Sequence, residues 1–179
     1  MVDFNVVVTI RGREFGRALQ ALRSFGRVFP TRFYNVVLLR VDDREEFLEK
    51  LRERFETDPS LRGWLARAEP LEKQFSFHDA GELDAGCKEA LADYLPMLEG
   101  KSFHVRIHRR GLKEKLSGQE EEQRLDAWLM ESLAKEGKPG RITFDDPDVI
   151  VDVETLGTRA GVSAWTREQR ERFPFLHLD

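Results

Sequence analysis

The period of the hydrophobic residues switches between two and 3.6 along the first 77 positions, and the order of the switches leaves few folds open. Phe4, Val6, Val8 and Ile10 alternate with Asn5, Val7 and Thr9, which predicts a strand over 3–10 that breaks at Gly12. Phe15, Ala18, Leu19 and Leu22 recur at helical spacing, with Gly26 placed as a stop after the last turn. Val28 and Phe29, cut by Pro30, suit a short edge strand, and 34–41 reads as a stronger one. Asp43 with Glu46 three residues on resembles a capping box, opening a helix whose Phe47, Leu48, Leu51 and Phe55 face inward. Asp58-Pro59 starts a short helix lined by Leu61, Trp64 and Leu65, after which 71–77 returns to strand.

That order, β-α-β-β-α-β with one extra short helix before the last strand, is the order of a ferredoxin-like unit and predicts a first domain at residues 1–79. Leu83, Cys87, Leu91, Tyr94 and Leu98 then form one face of a helix that Pro96 ends or kinks. Over 101–109, Phe103, Val105 and Ile107 alternate with His104, Arg106 and His108, so a half-buried strand is expected with the second set and Arg110 on the solvated face. Ser117 and Glu120 form a second capping box, before a helix carrying Leu125, Trp128, Leu129 and Leu133 and closed by Gly137. A short strand at 141–144, an Asp145-Asp-Pro-Asp148 turn and strands at 149–156 and 162–165 complete a second α/β domain at residues 80–166. The fold class is therefore α/β (α+β). The tail, 167–179, carries Phe173, Phe175, Leu176 and Leu178 and is expected to dock on its own domain.

Charge is distributed unevenly. Residues 1–41 hold seven arginines against Asp3 and Glu14, a balance of +5, whereas 42–100 carry −8. Residues 101–115 hold six Lys or Arg against Glu114, again +5, in a chain whose net charge is −4. A row of cationic donors on a rigid strand can contact phosphates. The acidic middle segment is also complementary to the basic segments of a second copy, an arrangement that would give a homo-oligomer or a protein-interaction scaffold. Charged residues make up 35% of the chain and no run of 18 apolar residues occurs, so no membrane-spanning helix is expected. With no basic, cleavable leader and one cysteine, Cys87, the expected location is the cytoplasm.

Catalytic signatures are not found. There is no phosphate-cradling Gly-rich loop before a Lys-Ser/Thr pair, and no Cys/His zinc pattern. His104 and His108, four residues apart on a strand, lie about 13 Å from each other, too far to share one ion. Asp145, Asp146 and Asp148 read as turn chemistry, and Asp152 with Glu154 as an exposed pair on one strand face. Cys87 reads as a buried, inert thiol. No metal and no cofactor is expected.

From about residue 82 to 165 the chain resembles the THUMP domain, an RNA-binding module of tRNA-modifying enzymes and their adaptors. The likeness rests on the strand Phe103-His-Val-Arg-Ile-His-Arg-Arg-Gly111, the helix start Leu116-Ser-Gly-Gln-Glu-Glu-Glu122, the segment Asp145-Asp-Pro-Asp-Val-Ile-Val-Asp-Val-Glu154 and the glycine-led final strand. The preceding unit is similar to the ferredoxin-like domain that commonly sits before THUMP. The pair, without a catalytic domain, is most similar to the THUMP adaptor of the tRNA cytidine N4-acetyltransferase. The resemblance implies a non-catalytic protein that binds tRNA, including its 3′ acceptor end, for a separate acetyltransferase-like enzyme. It places tRNA contacts on Arg106, Arg109, Arg110 and Lys113. His108 and Lys115 belong to the same basic stretch, and Arg11, Arg13 and Arg17 are further candidates in the Arg-rich first unit. Glu120, Glu121 and Glu122, directly after that stretch, limit the width of any basic face.

Overall fold

Residues 2–178 are described in the structure, a computed structural model. The chain forms two compact units, Met1–Leu71 with Arg170–His177, and Glu72–Gln169 with Leu178–Asp179.

The first unit runs β1 (Val6–Ile10), α1 (Phe15–Leu22), β2 (Arg27–Pro30), β3 (Val36–Arg40), α2 (Arg44–Thr57), α3 (Pro59–Trp64) and β4 (Leu65–Pro70). Its sheet has the order β2-β3-β1-β4 with antiparallel neighbours throughout, the ferredoxin-like arrangement. Local chemistry sets the helix starts. The Asp43 carboxylate accepts the Glu46 N–H at 2.9 Å, and Asp58 accepts that of Ser60 at 3.0 Å with Pro59 in the first helical position. Pro30 sits on the edge strand, where its missing N–H removes no ladder bond.

Two expectations for this unit change. The last strand is 65–70 and not 71–77; it was hidden because it carries Arg67 and Glu69, both buried, and ends on Pro70. Gly26 is not in a left-handed turn: a Cβ there would lie 2.3 Å from the Arg40 carbonyl oxygen, so it is small to let two backbones approach.

The second unit contains β5 (Lys73–Ser76), α4 (Ala80–Leu91), a 3₁₀ turn, α5 (Leu95–Leu98), β6 (Ser102–Arg110), α6 (Gly118–Lys135), β7 (Arg141–Ile142), β8 (Val149–Leu156) and β9 (Arg159–Thr166). Its sheet has the order β5-β9-β8-β6-β7, with β6 parallel to both β7 and β8. Because β5 pairs with β9, the division falls at 71/72 and not at 79/80. Leu83, Cys87 and Leu91 of α4 and Leu125, Leu129 and Leu133 of α6 pack with Phe103, Val105, Ile107, Val151 and Val153 in one core. Burial there pushes the Cys87 thiol pKa up, as suits an inert side chain.

The opposite face of this sheet is not solvated. His104, Asp152, Glu154 and Ser163 are fully buried, and Trp165 nearly so. Strands with parallel neighbours at the centre of a sheet are commonly covered on both faces, so the polar half of an alternation does not report exposure here.

The tail is divided. After α7 (Arg167–Arg172), the Phe175 carbonyl accepts the Ala68 N–H at 3.1 Å and its ring meets Phe55 edge-on at 6.0 Å. Arg172 pairs with Glu49 at 2.7 Å. Residues 170–177 thus belong to the first unit, and not to the domain they directly follow. Among the described residues no helix is long and apolar enough to cross a membrane.

Candidate nucleic-acid interface

β6 has an open edge because β7 is short. β7 pairs only with Ser102 and Phe103, and beyond them the outward N–H groups of β6 need other acceptors. α6 supplies two: the Val105 N–H donates to Asp126 Oδ1 at 2.8 Å, and the Ile107 N–H to Glu122 Oε1 at 2.8 Å. The match is geometric. Four helical residues advance about 6.0 Å and two strand residues about 6.6 Å, so carboxylates at i and i+4 meet amides at j+2 and j. One step further, the partner of Arg109 would be Gly118, which has no side chain. By the alternation of the strand, the Arg109 N–H faces the same edge, with no acceptor among the described residues.

A cleft of about 720 Å³ follows this edge, lined by Arg106, Arg109, Gln119, Gln123, Glu122 and Asp126, with Phe144 at its rim. Phe144 is 68% exposed, and its ring rests on buried His104 at 5.1 Å between centroids. His104 Nδ1 lies 2.9 Å from the Thr143 carbonyl, which fixes the imidazole beneath that ring. Burial pushes the Asp126 carboxyl up to about 6, against the opposing pull of the Val105 N–H.

The basic residues of the strand separate into two groups. Arg106, a third exposed, lies 3.8 Å from Glu122, and Arg109 lines the cleft with its guanidinium 3.3 Å from the Gly111 carbonyl. Lys113 and Lys115 are exposed on the turn that follows, where Gly111 and Leu112 both adopt left-handed backbone. His108 and Arg110 are engaged instead by buried acids of β8. His108 Nε2 lies 3.1 Å from both Asp152 and the Leu178 carbonyl, and Arg110 pairs with fully buried Glu154. Asp152 and Glu154, expected to be exposed, are therefore the inward partners of these two cations. Arg11, Arg13 and Arg17 are exposed in the first unit, Arg17 at 3.4 Å from Glu14.

The three glutamates after the basic stretch have different fates. Glu120 is exposed, Glu122 is held by the Ile107 amide, and Glu121 is buried, 3.4 Å from Arg124. Burial, together with the neighbouring Asp84 carboxylate, pushes Glu121 up to about 7. Glu121 is thus withdrawn into the fold, whereas Glu122 serves the strand edge while its carboxylate still lines the cleft.

His108, Asp152 and Glu154 place ligand-type atoms within 4.8 Å of one another. Arg110 on Glu154 and the Leu178 carbonyl at His108 make this an ion-pair network built from protein groups. Asp146 and Asp148 hold Arg167 at 3.0 and 3.1 Å, and Asp148 also accepts the Ser102 N–H at 2.9 Å. Phe144, Gln119 and Gln123 escaped sequence reasoning. The available signal was an aromatic directly before an Asp-Asp-Pro turn.

No protein-family profile matches the chain, and no curated protein matches it. Solved structures do. PH1313 from Pyrococcus horikoshii OT3 is 12% identical at a TM-score of 0.60, over 91% of this chain and 54% of that one. TrmN from Thermus thermophilus is 20% identical, also at 0.60, over 90% and 45%. A 4-thiouridine synthetase in complex with RNA and ATP is 17% identical at 0.55, over 92% and 42%. The chain thus has the fold of a ferredoxin-like unit joined to a THUMP α/β unit, and it spans about half the length of the structures it resembles.

Proposed function

We propose that this chain binds tRNA and leaves the chemistry of modification to a separate domain or protein. The observation that carries this reading is the cleft on the open edge of β6, where Arg106 and Arg109 flank an exposed aromatic ring, Phe144. Guanidinium groups meet phosphate oxygens, and a bare ring on a fixed base offers a stacking surface to an unpaired base. Gln119 and Gln123 supply donors and acceptors for base or ribose edges within the same cleft. Lys113 and Lys115 extend the cationic surface along the next turn. His108 and Arg110 fall outside this grip, since their charges are directed at Asp152 and Glu154.

For the partner, the sequence resemblance favours a tRNA cytidine N4-acetyltransferase. The solved structures of similar fold include a 4-thiouridine synthetase in complex with RNA, which supports modification of RNA as the wider setting. Filter binding of tRNA at two salt concentrations tests the reading. Binding that weakens steeply with salt is expected; no binding at low salt contradicts it.

A further inference from the structure

The first unit ends in exposed cations around a single bare ring. Residues 11–35 hold six arginines and one acid, Glu14. The β2–β3 connection is pinned from inside: Thr31 Oγ1 accepts the Phe33 N–H at 3.1 Å and donates to the Val36 carbonyl at 2.8 Å. Asn35 is left-handed at φ 56°, and Tyr34 before it is 86% exposed. Arg32 lies over the Phe33 ring at 5.3 Å.

The neighbouring turn brings more cations to this tip. β1 and β3 pair Thr9 with Val36, and the Ile10 N–H donates to the Asn35 carbonyl at 2.8 Å. Arg11 follows directly, its own N–H donating to the Trp64 carbonyl at 2.7 Å. Gly12, at φ 73°, then turns the chain toward Arg13. Arg11 and Arg13 are exposed and make no ion pair among the described residues.

We propose that this end of the first unit takes an unpaired nucleotide of a bound RNA, the base stacked on Tyr34 and the adjoining phosphates on Arg11, Arg13 and Arg32. The site belongs to the first unit, the β6 cleft to the second, and the proposal rests on the RNA-binding reading above. Stacking needs one flat ring, and a tyrosine loses little side-chain freedom in providing it. A protein hot spot, by contrast, sits in a surround of packed side chains. Tyr34 is the one exposed large hydrophobic residue between positions 11 and 35, so the tip lacks that surround.

The test uses the full chain and two RNAs, a stem-loop with a four-nucleotide single-stranded extension and the same stem made blunt. Tyr34→Ala is expected to weaken binding of the extended RNA about tenfold, leave the blunt stem unchanged and leave thermal unfolding unchanged. Tyr34→Phe keeps the ring and should bind like wild type. Photo-crosslinking of 5-iodouridine in the extension should label Tyr34. If wild type binds neither RNA, the RNA reading and this inference fall together. If wild type binds the extended RNA, Arg109→Glu weakens it and Tyr34→Ala does not, this inference alone is overturned and the tip becomes a protein contact.

Discussion

The Ile107 amide of β6 donates to the Glu122 carboxylate at 2.8 Å, so an acid that follows a basic stretch in sequence is spent on a strand edge. Removing it should cost both fold and selectivity of charge. Glu122→Ala leaves a half-buried N–H without its acceptor and should lower stability by about 1–3 kcal/mol in urea unfolding. Glu122→Gln keeps an acceptor and loses the charge, so it should cost less and raise RNA affinity severalfold.

Adjacent arginines should behave oppositely. Arg109 lines the cleft, whereas Arg110 pairs with fully buried Glu154. Arg109→Ala is expected to weaken RNA binding with little change in unfolding temperature. Arg110→Ala strips a buried carboxylate of this partner and should destabilise the second unit by roughly 3 kcal/mol, read by thermal unfolding without RNA.

Glu121 should make stability fall as pH rises. Its pKa is raised from an ordinary 4.5 to about 7, because burial and Asp84 disfavour the anion. Between those values the folded state holds more protons than the unfolded state, so stability is greatest below pH 4.5 for this group and is lost as pH climbs to 7. The loss is on the order of 2–3 kcal/mol. Glu121→Gln should flatten this limb of a urea stability profile measured from pH 4.5 to 8.

How much of this was legible follows the range of each interaction. The caps at Asp43, Asp58 and Ser117 are local hydrogen bonds, and their spacing announced them. Strand β4 was missed because Arg67 and Glu69 are buried, and a period of two marks a strand only when its faces differ in polarity. The same limit hid Asp152 and Glu154 and made the sheet face that carries His108 and Arg110 read as solvated. The ladder carrying Asp126 and Glu122 to Val105 and Ile107 depends on how α6 lies against β6, which no local pattern states. Phe144 gained a role only once the fold brought it over His104.

Gly26 gives a check on the first unit alone. An added Cβ would meet the Arg40 carbonyl oxygen at 2.3 Å, and backbone there cannot yield as a side-chain tip could. Gly26→Ala should therefore destabilise by about 1–3 kcal/mol. The usual gain from replacing glycine at a permitted φ would be outweighed.

The central claim is that RNA is gripped at the open edge of β6. The direct measurement is the salt dependence of tRNA binding for wild type and for Arg106→Ala/Arg109→Ala. The account predicts at least tenfold weaker binding for the double variant, a shallower salt slope by about one to two phosphate contacts, and an unfolding temperature close to wild type. Equal affinity and equal slope in the two proteins would contradict it.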